Sequence, residues 1–180
     1  MKKGFLITLV CLGSLVSGCA MMTPKYASDI EVASESDPKV NLAAFKDYAW
    51  ERAGVLLVDK EGQWEPPSFD MDSEAKFLID SQLRGKGLTE NSANPDLLLV
   101  ITFGVNMDAL KSVKVEKEEY EIIQNVPAGA LVLILVDAST QKPVWIGAAR
   151  AEVQKDLDEA TVKARLKYAV DGMFRDYPAI

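Results

Sequence analysis

Leu97-Leu98-Leu99-Val100-Ile101-Thr102-Phe103 and Leu131-Val132-Leu133-Ile134-Leu135-Val136 decide the fold of this 180-residue chain. Both runs are apolar at odd and even positions alike, which is the pattern of strands central in a sheet. Turn residues bound them: Pro95-Asp96 before the first, Pro127-Ala128-Gly129 before the second, Asp137 to Pro143 after it. The chain then returns over Val144–Gln154 as a partner strand. Trp145, Gly147, Ala149, Ala151 and Val153 share one of its faces, and the small residues there leave room for a helix to approach.

Working outward, two segments carry helical periodicity. Met71, Ala75, Leu78, Ile79 and Leu83 form an apolar stripe, with Asp70 or Asp72 as N-cap and Gly85 and Gly87 as the stop. Val162, Leu166, Ala169, Val170, Met173, Phe174 and Tyr177 form a second stripe, ended by Pro178. Asp156 and Glu159 have the spacing of a capping box for that helix. Lys163 and Arg165 lie off the stripe, so alanine at either position is expected to cost no more than about 0.5 kcal/mol. Ser28–Asp37 reads as an edge strand ended by Pro38, and Phe45–Trp50 as an aromatic-rich strand. Val55–Phe69 reads as a loop with some extended character, and Lys114–Ile123 as a charged, solvated edge strand. The order implies an α+β fold: a mostly antiparallel sheet of about five or six strands with two helices on one face. The helix between the second and third strands allows one parallel crossover.

Several of these pieces resemble one family. They are Phe45–Trp50, the helix ending in Gly85-Lys86-Gly87, Pro95–Val100, Gly129–Ala138, Val144-Trp145-Ile146-Gly147, and the final helix before Tyr177-Pro178. Together, over roughly residues 28–178, they resemble the bacterial envelope lipoproteins of domain-of-unknown-function family 4136. The family pattern has an arginine where this chain has Ile146. The resemblance implies a small α+β domain on a lipoprotein and brings no known catalysis.

The N-terminus supports that address. Lys2 and Lys3 precede an apolar run from Phe5 to Val16, too short for a transmembrane helix of about 20 residues and typical of a signal peptide. Val16-Ser17-Gly18-Cys19 resembles a lipobox, which implies cleavage after residue 18 and a diacylglyceryl group and palmitate on Cys19. Residues 19–27 then form a lipidated tether and 28–180 a single domain. Ala20, in place of aspartate after the cysteine, implies outer-membrane sorting by the same resemblance, with the domain facing the periplasm.

Composition excludes several functions. Loss of residues 1–18 removes two lysines and no acid, taking the formal charge from −7 to −9. That balance disfavours nucleic acid and electrostatic docking on anionic lipid, leaving the lipid on Cys19 as the membrane contact. The chain has no histidine, and its two cysteines are Cys11, inside the signal, and Cys19. Serine–histidine and cysteine–histidine nucleophiles and structural zinc are thereby excluded. No cofactor, metal site or catalytic residue is expected.

The remaining candidates are weak. Asp137 reads as a turn residue and Trp145 as a packing residue. Asp70-Met71-Asp72-Ser73-Glu74 resembles half a calcium loop, but Ala75 and Ser81 stand where glycine and glutamate are needed. Glu116, Glu118, Glu119 and Glu121 with Lys117 read as a charged edge. The least ordinary loop is Trp64-Glu65-Pro66-Pro67, whose Trp64, Pro66 and Pro67 are candidate contacts for a partner. Three functions remain: binding an envelope protein or polymer, binding a small apolar or lipidic molecule between sheet and helices, and a carboxylate-dependent hydrolase. An exposed apolar patch over a filled core favours the first, a deep pocket the second, and two buried carboxylates facing one cleft the third.

Cys19→Ala is expected to block processing and leave a larger precursor. Intact mass and detergent partitioning check it; a wild-type protein without lipid would contradict the reading of Cys19.

Overall fold

The computed structural model describes residues 23–114 and 121–179. The signal segment and Cys19 lie outside the described residues. A 3₁₀ turn at Lys25–Ala27 leads into β1 (Glu31–Ser36), and a second at Leu42–Ala44 precedes β2 (Asp47–Val58). Then come α1 (Met71–Gly85), β3 (Thr89–Glu90), β4 (Leu97–Asn106), β5 (Leu110–Lys114), β6 (Glu121–Asn125), β7 (Ala128–Asp137), β8 (Lys142–Glu152) and α2 (Glu159–Met173).

Six strands form one sheet in the order β1-β8-β7-β4-β2-β3, and β5-β6 pair separately. β1/β8, β8/β7 and β7/β4 are antiparallel. β4/β2 and β2/β3 are parallel, with α1 as the crossover. The α+β sheet expected from the sequence, with its single crossover helix, is therefore present.

The central strands alternate in burial, and register explains how. Leu99 opposes Leu135, and Leu135 opposes Trp145. These residues and Tyr48, Leu97, Ile101, Leu131, Leu133 and Ala149 are buried in one core with Ala75, Ile79 and Leu83 of α1 and Ala169, Val170 and Met173 of α2. Both helices thus cover the same face. The opposite row (Leu98, Val100, Val132, Ile134) is only half-buried, so these strands are not covered equally on both sides.

Local chemistry sets the helix ends. Asp70 caps α1 by accepting from the Ser73 N–H at 3.0 Å. At the other end Gly87, at φ 97°, takes the left-handed conformation that glycine adopts freely. The Leu88 N–H then reaches the Leu83 carbonyl at 3.0 Å, and both side chains are buried. The cap of α2 is Asp158, which accepts from the Thr161 N–H at 2.7 Å. This corrects the expected Asp156 box: the helix begins later, and Glu159 pairs with Lys163 at 2.8 Å instead.

Two other expectations are corrected. β2 runs on to Val58, so Val55–Val58 is strand. The expected Lys114–Ile123 edge strand is split between β5 and β6, and Glu116, Lys117, Glu118 and Glu119 lie outside the described residues. Ala27, ahead of β1, is fully buried.

Trp145 packs as expected, stacked on Phe174 at 4.9 Å and edge-on to Tyr177 at 5.7 Å. A Cβ on Gly147 would lie 2.4 Å from the Trp145 ring and 3.1 Å from Met173, so this position needs glycine for α2 to dock. Phe174→Ala is expected to cost about 3–5 kcal/mol. Lys163→Ala, at a half-exposed ion pair with Glu159, should cost within about 0.5 kcal/mol. Urea denaturation of both variants checks this; equal losses would place the wrong face of α2 in the core.

Candidate functional site

Strand and helix lengths create the site. The ten to twelve residues of β2, β4, β7 and β8 span about 33–40 Å. The fifteen residues of each helix span only about 22 Å. The sheet therefore outruns its helices, and past the start of α1 and α2 its covered face opens into a groove of about 900 Å³. That volume is at the upper end of the usual range for ligand pockets, roughly 300–1,000 Å³.

Phe103 and Val105 of β4, Leu131 of β7 and Ala149 of β8 form the floor. One wall is α2, through Val162, Leu166 and Ala169, with Leu157 ahead of it. The other wall is the Trp64–Met71 segment. Gln63, Glu65, Gln154, Lys155 and Asp156 give a polar rim.

The loop that carries Trp64 is shaped by Asp59. Its carboxylate accepts from the Gln63 N–H at 3.0 Å and the Trp64 N–H at 2.8 Å, and these bonds hold its pKa below the usual value. Trp64 and Pro67 are half-buried and Pro66 is exposed, and all three line the groove. The sequence singled them out as an unusual loop; the structure brings them to one wall.

Arg165 overturns its expectation as a neutral surface residue. It is 8% exposed and forms part of the groove wall. Its guanidinium donates to both oxygens of Asp29 at 2.7 Å, to the Tyr26 carbonyl, and to the Glu152 carbonyl at 3.3 Å. Asp29 also accepts from the Glu152 N–H at 3.0 Å and from Gln154 Nε2 at 3.2 Å. Arg165 is the main cause of a lowered Asp29 pKa, with burial opposing it. This fork clamps the N-terminal segment onto α2 and the end of β8.

Asp80 of α1, 8% exposed, is the single buried carboxylate among the described residues. It accepts from Tyr48 Oη at 2.7 Å, Trp50 Nε1 at 2.9 Å and Lys76 Nζ at 2.9 Å. Burial, then this bond, raises the Tyr48 pKa, so the phenol stays protonated and keeps donating. The cluster ties α1 to β2 and does not line the groove. Asp137 accepts from Ser139 N–H and Oγ and from Thr140 N–H, as a turn residue does. Asp70 is occupied in capping.

Removing one partner of a buried pair leaves the other charge uncompensated, so Arg165→Ala is expected to cost about 3–5 kcal/mol. The lowered Asp29 pKa makes this contribution fully present above the ordinary carboxylate value and lost as pH falls through the lowered one. The stability gap between wild type and variant should therefore narrow below about pH 4. Urea melts at a series of pH values check this; a pH-independent gap would contradict it.

A family model described as a domain of unknown function, DUF4136, matches residues 32–179. No curated protein sequence matches the chain. A solved DUF4136 family protein from Bacteroides thetaiotaomicron is 11% identical at a TM-score of 0.55, over 82% of this chain and 95% of that one. A PDZ domain protein from Parabacteroides distasonis is 15% identical at 0.48, over 84% of this chain but 36% of that one. The PelC dodecamer from Paraburkholderia phytofirmans is 16% identical at 0.42, over 81% and 96%.

Proposed function

The chain belongs to the DUF4136 family, and we propose that it is an outer-membrane lipoprotein whose non-catalytic domain binds an apolar ligand in the groove beneath Trp64. The observation that carries this reading is the groove itself. Phe103, Val105, Leu131 and Ala149 on its floor and Val162, Leu166 and Ala169 on its α2 wall are apolar, and Arg165 of that wall is neutralised by Asp29. Apolar walls with a few polar groups are the usual make-up of a small-molecule site. The lipobox at Cys19 supplies the anchor and Ala20 the outer-membrane sorting. No helix among the described residues is long and apolar enough to cross a membrane.

A partner-binding reading has its own support. β3 covers only Asp47 and Tyr48, so among the described residues the rest of β2 is an open edge. Val55, Leu56, Leu57 and Val58 at its end are 46–67% exposed. An aliphatic edge of this kind can accept an added strand.

The domain from Met21 onward is expected to bind cis-parinaric acid with a rise in the probe's fluorescence. Trp64→Ala, losing one aromatic wall, should weaken binding roughly tenfold. Val105→Glu, placing a charge on the floor, should abolish it. Unchanged affinity in both variants, or no binding by the wild type, would sink the ligand reading.

A further inference from the structure

The groove and the membrane anchor are joined at one residue. Arg165 forms part of the groove wall and grips the Tyr26 carbonyl and the Asp29 carboxylate. Ile30, one residue on, lines the groove as well. The chain that leads back to the anchor therefore departs from the groove's own wall. Four residues separate Cys19 from Pro24, and the five Cα–Cα steps between them, fully extended, reach at most about 18 Å. With its lipid in the bilayer, the clamped end of the domain is held within that distance of the leaflet surface.

Resting on the apolar-ligand reading, we infer that the groove takes an acyl chain of a phospholipid from the leaflet in which Cys19 is anchored. Three features support this occupant. Phe103, Val105, Leu131 and Leu166 offer no hydrogen-bond partner, so a ligand with polar groups along its length would leave them unpaired. An alkyl chain has none to satisfy, and its headgroup meets the polar rim. The short tether also turns capture into a near-intramolecular event at high local lipid concentration. Finally, the mature charge of −9 gives no electrostatic attraction to an anionic leaflet, so close contact must be made through apolar surface. The chains on Cys19 itself stay in the bilayer, because stable anchoring needs more than one of them there.

The test uses the lipidated protein in vesicles of phosphatidylethanolamine and phosphatidylglycerol whose acyl chains carry bromine. Bromine quenches tryptophan on contact. Trp64 lines the groove, whereas Trp145 is packed in the core and Trp50 bonds to Asp80. Wild type is expected to be quenched, and Trp64→Phe and Val105→Glu each to lose most of that quenching. Absence of quenching in wild type would overturn the inference. Quenching that survives Val105→Glu would also overturn it, since Trp64 would then be touching the bilayer surface outside the groove. The soluble domain's binding of cis-parinaric acid separates the two claims. Binding without bilayer quenching ends this inference and leaves the apolar-ligand reading standing; failure of both ends both.

Discussion

The sheet is longer than the helices that cover it, and most of the architecture follows from that mismatch. Where α1 and α2 reach, the covered face closes completely: Leu99, Leu133, Leu135, Ile79 and Met173 have no exposure beyond a trace. Toward the starts of the helices the same rows continue through Phe103, Leu131 and Ala149, 5–8% exposed, which floor the groove beside α2. The Asp59–Asp70 connection forms one wall of this part: Pro66 and Pro67 resist helix, and the Asp59 carboxylate holds the turn through the Gln63 and Trp64 N–H groups. A groove with an apolar floor is what remains.

Two buried charges hold the covering elements at fixed positions. Asp80 gathers donors from β2 and from its own helix, so α1 cannot slide along the strand without leaving a carboxylate unpaired. Arg165 does the same for the N-terminal segment against α2 and β8. Each is satisfied by several partners, the condition under which a buried charge is tolerable. The second cluster also fixes where the N-terminal segment meets the domain.

Much of the fold was legible because it depends on local pattern. β4 and β7 declare themselves by continuous aliphatic runs, and both helices by their stripes. Asp70 and Gly87 act where capping chemistry places them. Long-range pairing was not legible. Arg165 is off the stripe of α2, and its partner Asp29 lies 136 residues earlier. Nothing local distinguishes it from a solvated arginine such as Arg175. Asp80 is likewise adjacent to buried Ile79 but is explained only by Tyr48 and Trp50, 32 and 30 residues away. The end of β2 was misread because Val55–Val58 alternates with nothing: both its faces are apolar and exposed. The Trp64-Pro66-Pro67 loop was recognised as unusual, yet its role depends on the relative lengths of strands and helices, which no motif encodes.

The account is tested most directly by methyl-resolved NMR of the domain titrated with palmitate. If the open end of the sheet is the binding floor, methyl signals of Leu131, Val105, Val162 and Leu166 shift together along one saturating curve. Those of Leu97 and Leu135, sealed beneath the helices, stay in place. Shifts confined to Leu56–Val58, or none at any concentration below the micellar range, would contradict it.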